Sequence, residues 1–234
     1  MNSKRQKQRH GPNERDRAIL DHVTRYRLTT LDAIRRVVLP GLSRNAVGKI
    51  ANRLCDAGLL RKHRLLYPMN YFVLGELAVR SLGIGIHRAK PLGSQSLPQE
   101  FALLAFATLG THQHLRLNAA EVKRRCPWLP FSFAAAPHCL DEANVLELVR
   151  VDLGGPAGHV ARKCAADLTE RCRIREFSPL VAARQFRLVV ITATSGKATA
   201  IQRALDHHDW PAGLLFHFSV VPQLLSIGAS ANHA

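Results

Sequence analysis

The stretch that decides the fold is SRNAVGKIANRLCDAGLLRKHRLLYPMNYFVL, residues Ser43 to Leu74. Serine is a preferred helix cap, and glycine suits the position just after the last turn, so a helix is predicted from Ser43 to Gly58. Two apolar runs then flank Pro68-Met69-Asn70, a pattern typical of a β-hairpin. The stretch therefore predicts one helix followed directly by two antiparallel strands.

The predicted helix has two chemically different faces. Its apolar residues recur every three or four positions and predict the side that packs on the rest of the fold: Val47, Ile50, Leu54 and Ala57. The opposite face carries cations that bind phosphate or guanine, amides that read adenine, and a glycine that permits close approach. These outer positions, with the capping serine, are Ser43, Arg44, Asn45, Gly48, Lys49, Asn52 and Arg53. The first strand of the hairpin adds a basic run of Arg61, Lys62, His63 and Arg64.

Two further helices are predicted upstream. Asn13 is a good cap for a helix that reaches Tyr26, and Thr30 for a second one that stops at Pro40-Gly41. The order of two helices, a capped basic helix and a basic hairpin is that of a winged helix-turn-helix, over residues 13–86. Such a fold places its third helix in the major groove of DNA. Two other interpretations remain open: the charges form the solvated face of a three-helix bundle, or the module docks a protein.

The charge of the chain is unevenly distributed. The 234 residues hold 33 Lys and Arg against 17 Asp and Glu, a net charge of +16. Residues 1–91 hold 19 cations against 6 acids, whereas residues 92–234 hold 14 against 11. Cations that neutralise phosphates release condensed counterions, so the first part favours a polyanion such as double-stranded DNA. Residues 1–12 are predicted to be a disordered basic arm, in which Lys4–Arg9 adds phosphate contacts.

Composition excludes several other classes of protein. No apolar run is long enough to span a bilayer, and no apolar stretch follows the basic start, so neither a membrane protein nor a secreted one is expected. Five cysteines without C-x-x-C spacing indicate reduced thiols in a cytoplasmic protein. The segment Thr194–Thr199 lacks the Walker A pattern, and only His112-x-His114 comes near zinc-ligand spacing. No metal or other cofactor is therefore expected.

The second half predicts a mixed α/β domain. A Pro- and Ser-rich linker is predicted over residues 87–98, followed by an apolar helix, Leu97–Leu109, that suits either a buried position or a dimer interface. An amphipathic helix at Asn118–Trp128 follows it. The remaining pattern is strand, helix, strand, helix, strand, with strands at 145–153, 186–194 and 214–221 and helices at 159–172 and 197–208. The predicted fold class is α+β, with this domain spanning residues 99–228 together with its helical connector.

One segment, Pro137–Lys163, carries a resemblance to a known family. It reads PHCLDEANVLELVRVDLGGPAGHVARK and is similar to a turn, a strand ending in Glu-x-Asp, a small-residue turn and a helix with Lys. Asp152 matches the Asp, Gly154 and Gly155 fall in the turn, and Lys163 matches the Lys. The chain thereby resembles the replication-relaxation family of plasmids and other mobile elements, which joins a winged helix to a domain similar to PD-(D/E)xK nucleases.

The segment also departs from the family pattern. Arg150 occupies the position of the Glu, and the Pro-Asp position reads Pro137-His138. Since such nucleases hold Mg²⁺ with clustered carboxylates, the expected domain is nuclease-like but inactive, and it dimerises the chain or presents a surface to another protein. Asp141, Asp152 and Lys163 are the residues of the alternative, a metal-dependent DNA nuclease.

The sequence thus predicts a sequence-specific double-stranded DNA-binding protein that acts as a homodimer. The resemblance implies that it regulates transcription, replication or transfer of a mobile element. A third hypothesis is an adaptor whose winged helix docks a relaxase or a replication initiator.

Overall fold

The computed structural model describes residues 12–231, so the predicted arm lies outside the described residues except for Pro12. The first part of the chain contains three helical segments, a hairpin and a short helix. These are α1 (Glu14–Tyr26), α2 (Leu31–Ala33, continued by a π-helical turn at Ile34–Val38), α3 (Arg44–Asp56), β1 (Leu60–Leu66), β2 (Met69–Leu74) and α4 (Glu76–Ser81). The predicted order of elements up to the hairpin is therefore observed.

Local capping explains where the three helices begin. The side chain of Asn13 accepts a hydrogen bond from the backbone N–H of Asp16, whose carboxylate in turn accepts from Asn13 N–H. Thr30 and Ser43 accept from the N–H of the residue three positions on in α2 and α3. Because each cap satisfies an N–H that has no partner within the helix, these starts could be read from the sequence alone.

The second part of the chain is built on a five-stranded sheet with the order β3-β4-β5-β6-β7. Its strands are β3 (Leu115–Leu117), β4 (His138–Leu140), β5 (Leu146–Val151), β6 (Phe186–Thr192) and β7 (Leu215–Val220). The first three strands pair antiparallel, and β5, β6 and β7 pair parallel. Mixed α and β structure confirms the predicted class, while β3 and β4 are strands that the sequence analysis missed.

Helices cover both faces of the sheet. One face packs on α5 (Ser96–Leu109) and α11 (Gln223–Ala231). The other packs on α6 (Ala119–Arg125), α7 (Phe131–Ala134), α8 (Ala157–Cys172), α9 (Phe177–Ala182) and α10 (Ser195–Leu205). Helix α6 ends before the predicted Trp128, since Pro127 cannot continue it. Within residues 12–231, no helix is both long and apolar enough to cross a membrane.

The apolar helix α5 is buried inside the chain. Phe101, Leu103 and Leu104 are at most 2% exposed, and they belong to one core with Tyr71 of the hairpin and Val189 of the sheet. The helix is therefore covered without a second copy of the chain. This result removes the packing argument for a homodimer built on the predicted helix Leu97–Leu109.

The predicted linker at residues 87–98 is also corrected by the structure. Residues Ile86–Ala89 form a 3-10 turn in which Ala89 is buried, and the backbone N–H of Leu92 donates to the hydroxyl of Tyr71 at 3.2 Å. Helix α5 already begins at Ser96. The Pro- and Ser-rich composition predicted a free connection, but its apolar side chains pack on the hairpin.

Candidate nucleic-acid interface

Helix α3 presents the predicted polar face to solvent. Gly48 is half-buried and the other outer residues are exposed: Ser43, Arg44, Asn45, Lys49, Asn52 and Arg53. On the inner side Val47, Ala51 and Leu54 are completely buried against α1 and the π-helical turn. The packing face is thus fixed by the apolar spacing, and all seven candidate positions lie on the outer side or its edge.

Two of the cations on α3 form ion pairs with the preceding helices. The guanidinium of Arg53 donates to the buried carboxylate of Asp16 at 2.5 and 3.2 Å, and these bonds raise the pKa of Arg53. Nε of Arg44 lies 3.3 Å from Asp32 Oδ1. Among the described residues, Lys49 has no such partner. Arg53 therefore positions α3 against α1, while Lys49 is available to a ligand.

The four predicted hairpin residues point to alternating sides of the strand. Lys62 pairs with Phe72 and Arg64 with Asn70 across the hairpin, and cross-strand partners share a face. Lys62, Asn70, Arg44 and Asn52 line one cavity of about 170 Å³ between the hairpin and α3. Lys62 and Arg64 thus extend the polar face of α3.

Arg61 and His63 lie on the other face of the hairpin and therefore do not extend the polar face of α3. Arg61 donates to Glu76 of α4 at 3.2 Å. The ring of His63 is half-buried 5.4 Å from that of Tyr71, and burial lowers its pKa. Side chains alternate along a strand, so four consecutive residues cannot share one face.

The structure also identifies a candidate that the sequence analysis missed. Tyr67 lies in the turn between β1 and β2 with 87% of its surface exposed. A large aromatic ring in that position has no packing role among residues 12–231. The only signal in the sequence is that Tyr67 lies directly before Pro68 in a predicted turn.

The three residues of the nuclease alternative are not brought together. Asp141 follows β4 beside the start of β5, whereas Asp152 follows the end of β5, so they are separated along that strand by about 20 Å at 3.3 Å a residue. Asp141 accepts from Arg187 at 3.1 Å, and Asp152 lies 3.8 Å from Nζ of Lys197. Lys163 is exposed on α8. The structure therefore does not bring the three residues of this alternative into one site.

Several other charged or reactive side chains of the sheet region are engaged in contacts within the fold. Arg150, at the position of the family's Glu, pairs with Asp167 at 2.9 Å. Burial raises the pKa of the Cys139 thiol to about 12 and that of Cys164 to about 11, so both remain protonated and unreactive at neutral pH. Thr194 caps α10 through Lys197 N–H. No group of three or more His, Cys, Asp or Glu side chains within residues 12–231 is arranged to hold a metal ion.

Comparison with known proteins adds no relative, because no family model, curated protein or solved structure matches this chain. The function is consequently inferred from the geometry of α3 and the hairpin and from the charge they carry.

Proposed function

We propose that the protein binds double-stranded DNA in a sequence-specific manner, with α1, α2, α3 and the β1–β2 hairpin acting as a winged helix-turn-helix. The observation that carries this proposal is the arrangement of Asn45, Lys49 and Asn52 on one exposed face of α3, next to Lys62 of the hairpin. Amides and a free cation on the outside of a helix suit base edges and phosphates in a major groove.

Gly48 supports this proposal independently. Helix interiors disfavour glycine by about 1 kcal/mol relative to alanine. Yet a Cβ at Gly48 would meet only Cδ1 of Leu31, at an ordinary 3.8 Å, so packing does not require a glycine here. Close approach of a ligand to the backbone of α3 accounts for the residue, since Gly48 lines the same cavity as Lys62 and Asn52.

The charge distribution adds a further argument. Residues 1–91 carry a net charge of +13, and several of their cations are exposed on or beside α3. Phosphate contacts by such cations supply affinity, and contacts from Asn45 and Asn52 would supply sequence preference. In this proposal Ser43 and Arg44, at the start of α3, contact the phosphate backbone of the DNA, and Arg64 contacts it from the hairpin.

The biological role follows from the resemblance of Pro137–Lys163 to the replication-relaxation family. We infer a regulator of transcription, replication or transfer of a mobile element, whose sheet region is a nuclease-like α/β domain. The separation of Asp141, Asp152 and Lys163 gives no support to DNA cleavage. The predicted homodimer stays a prediction, which the spacing of half-sites in the selected DNA would test.

Selection of DNA from a random duplex library, followed by sequencing, tests the proposal. The selection uses the full chain at near-physiological salt with Mg²⁺ present. We expect one enriched sequence and intact DNA. Asn45→Ala should relax the preference at one base pair, whereas Arg64→Ala should weaken binding to all sequences and lower the salt slope by about one unit.

The matched control is Arg203→Ala, which removes an exposed arginine from α10 on the sheet region and should leave binding unchanged. An affinity for DNA that Asn45→Ala and Lys49→Ala leave intact would contradict the proposal and favour the adaptor. Cut DNA would support the nuclease instead.

A further inference from the structure

A second basic cluster lies where α1 meets the sheet region, away from the outer face of α3. Two arginines there share a single carboxylate, that of Glu100, and a third, Arg88, lines the same cavity. Arg116 donates to Glu100 and Nη1 of Arg27 lies 3.8 Å from it. Arg88 donates to the carbonyl oxygen of Thr24, in the last turn of α1. The three guanidinium groups come from α1's C-terminal cap, from the 3-10 turn and from β3.

The positive charge of this cluster is not balanced among the described residues. The three guanidinium groups have one carboxylate among them, that of Glu100, which leaves a charge of about +2. The C-terminus of a helix contributes roughly −0.5, and Arg88 and Arg116 both donate to carbonyl oxygens at the end of α1. An excess of about +1.5 therefore remains by this helix-dipole value. Burial, and then the charges of Arg27 and Arg116, lower the pKa of Arg88.

Neighbouring charged groups do not remove this excess. Arg25 is neutralised by its own two hydrogen bonds of 2.9 Å with Glu121, and Asp141 and the buried Glu147 both pair with Arg187. The other carboxylate oxygen of Glu147 lies 2.7 Å from Nδ1 of His114. Asp21 and Glu142 line the same cavity but are exposed, where solvent screens them. His22 is neutral at pH 7, since burial and then Arg25 lower its pKa to about 4.

The cluster opens into a cavity of about 1160 Å³, which Arg27, Arg88 and Arg116 line together. This volume matches or exceeds that of sites for small organic ligands. A phosphate monoester carries a charge of −1.5 to −2 at neutral pH, close to the excess of the cluster. Planar guanidinium groups bind phosphate oxygens in pairs.

We propose that this cleft binds a small molecule through a phosphate group held by Arg27 and Arg88. The half-buried position of both side chains favours a small ligand over a rigid duplex, which needs exposed cations such as Lys49. The site is distinct from the α3 surface and does not depend on the DNA-binding proposal. Its place between α1 and β3 would join the N-terminal elements to the sheet region through the ligand.

Isothermal titration of the full chain with inorganic pyrophosphate, in phosphate-free buffer at fixed ionic strength, tests the site. We expect one binding site in the wild type, and at least tenfold weaker binding in the double variant Arg27→Gln/Arg88→Gln. Two controls should bind as the wild type does: Arg203→Gln, which removes one charge from α10, and the charge-matched double variant Lys49→Gln/Arg64→Gln, on α3 and the hairpin. Circular dichroism checks that each variant is folded.

Three outcomes would contradict the proposed binding site. They are no binding by the wild type, equal binding by the double variant, or loss of binding in the α3 control. If the double variant does not fold, Arg88→Lys keeps the charge but loses the paired donors, and it should bind pyrophosphate several-fold more weakly.

The remaining measurement is the binding of duplex DNA by the same variants. The double variant should bind duplex within twofold of the wild type when pyrophosphate is absent. Weakened duplex binding with unchanged pyrophosphate binding would show that these arginines contact DNA instead.

Discussion

The positively charged side chains have one role on α3 and the hairpin and another in the sheet region. On α3 and the hairpin, Lys49 and Lys62 are exposed and have no carboxylate partner in the described part of the chain. In the sheet region Arg171 is 1% exposed, pairs with Asp167 at 3.0 Å and lies over the ring of Phe133. The ratio of cations to acids underlies the contrast, with 19 against 6 in residues 1–91 and 14 against 11 in the remainder. Cations without acids are available to a partner, whereas paired cations hold the fold together.

The largest expected effect comes from breaking a buried pair. Arg187 donates to Glu147 at 2.9 Å, and Glu147 is fully buried. Arg187→Ala should lower the free energy of unfolding by about 3–5 kcal/mol, because it leaves a buried carboxylate without its cation. Urea denaturation measures this change. The matched variant Arg64→Ala, on the exposed hairpin, should stay within about 0.5 kcal/mol of the wild type; equal losses in both would remove the contrast between the regions.

A pH dependence of stability is expected to be shared by both regions. Burial is the main cause that lowers the pKa of His22 in α1, and of His138 in β4, to about 4. Unfolded histidine protonates near pH 6.5, so the unfolded state binds protons first and stability falls as the pH drops from 6.5 to 4. Each group should contribute a loss of about 3 kcal/mol over that range.

Denaturation curves between pH 7 and pH 4 check this expectation. His138→Asn should make the decline shallower by about 3 kcal/mol, because asparagine does not titrate there. An unchanged decline would show that His138 is not the group responsible.

The helix starts and the basic face of α3 follow from local rules, and so the sequence predicts them. Asn118 is a further example, since its capping box with Glu121 spans only three residues. The arrangement of side chains on the sheet could not be predicted from such local rules. Arg116, Cys139, Glu147 and Arg187 lie in one row across four strands, though up to 71 positions separate them in the sequence. Strand pairing creates that row, and no local pattern encodes it. The alternation of Arg61 and Lys62, in contrast, was available from strand geometry.

A smaller effect should separate the two faces of the hairpin. Lys62→Ala should weaken DNA binding several-fold and lower the salt slope by about one unit, as expected for one lost phosphate contact. Arg61→Ala should leave both unchanged, because Arg61 points to Glu76 on the opposite face. Fluorescence anisotropy over a salt series distinguishes the two variants. Equal losses would mean that DNA contacts both faces.

The smallest effect should appear at Gly48. Gly48→Ala should raise the free energy of unfolding by about 0.5–1 kcal/mol, since alanine is the better helix former and the added Cβ has room. The same variant should bind DNA more weakly, because the methyl group prevents close approach. Urea denaturation and anisotropy on one preparation test both. A gain in stability without any loss of affinity would place the DNA elsewhere on α3.

Helix α5 has a consequence for how this protein could arise and change. Its side chains fill a single core that includes Leu65 and Tyr71 of the hairpin together with Val149 and Val189 of the sheet. A recombination event within residues 87–98 that joined the hairpin to a foreign domain would leave Leu65 and Tyr71 uncovered by this helix. The basic half and the sheet half are thus expected to be inherited as one unit, not exchanged as separate modules.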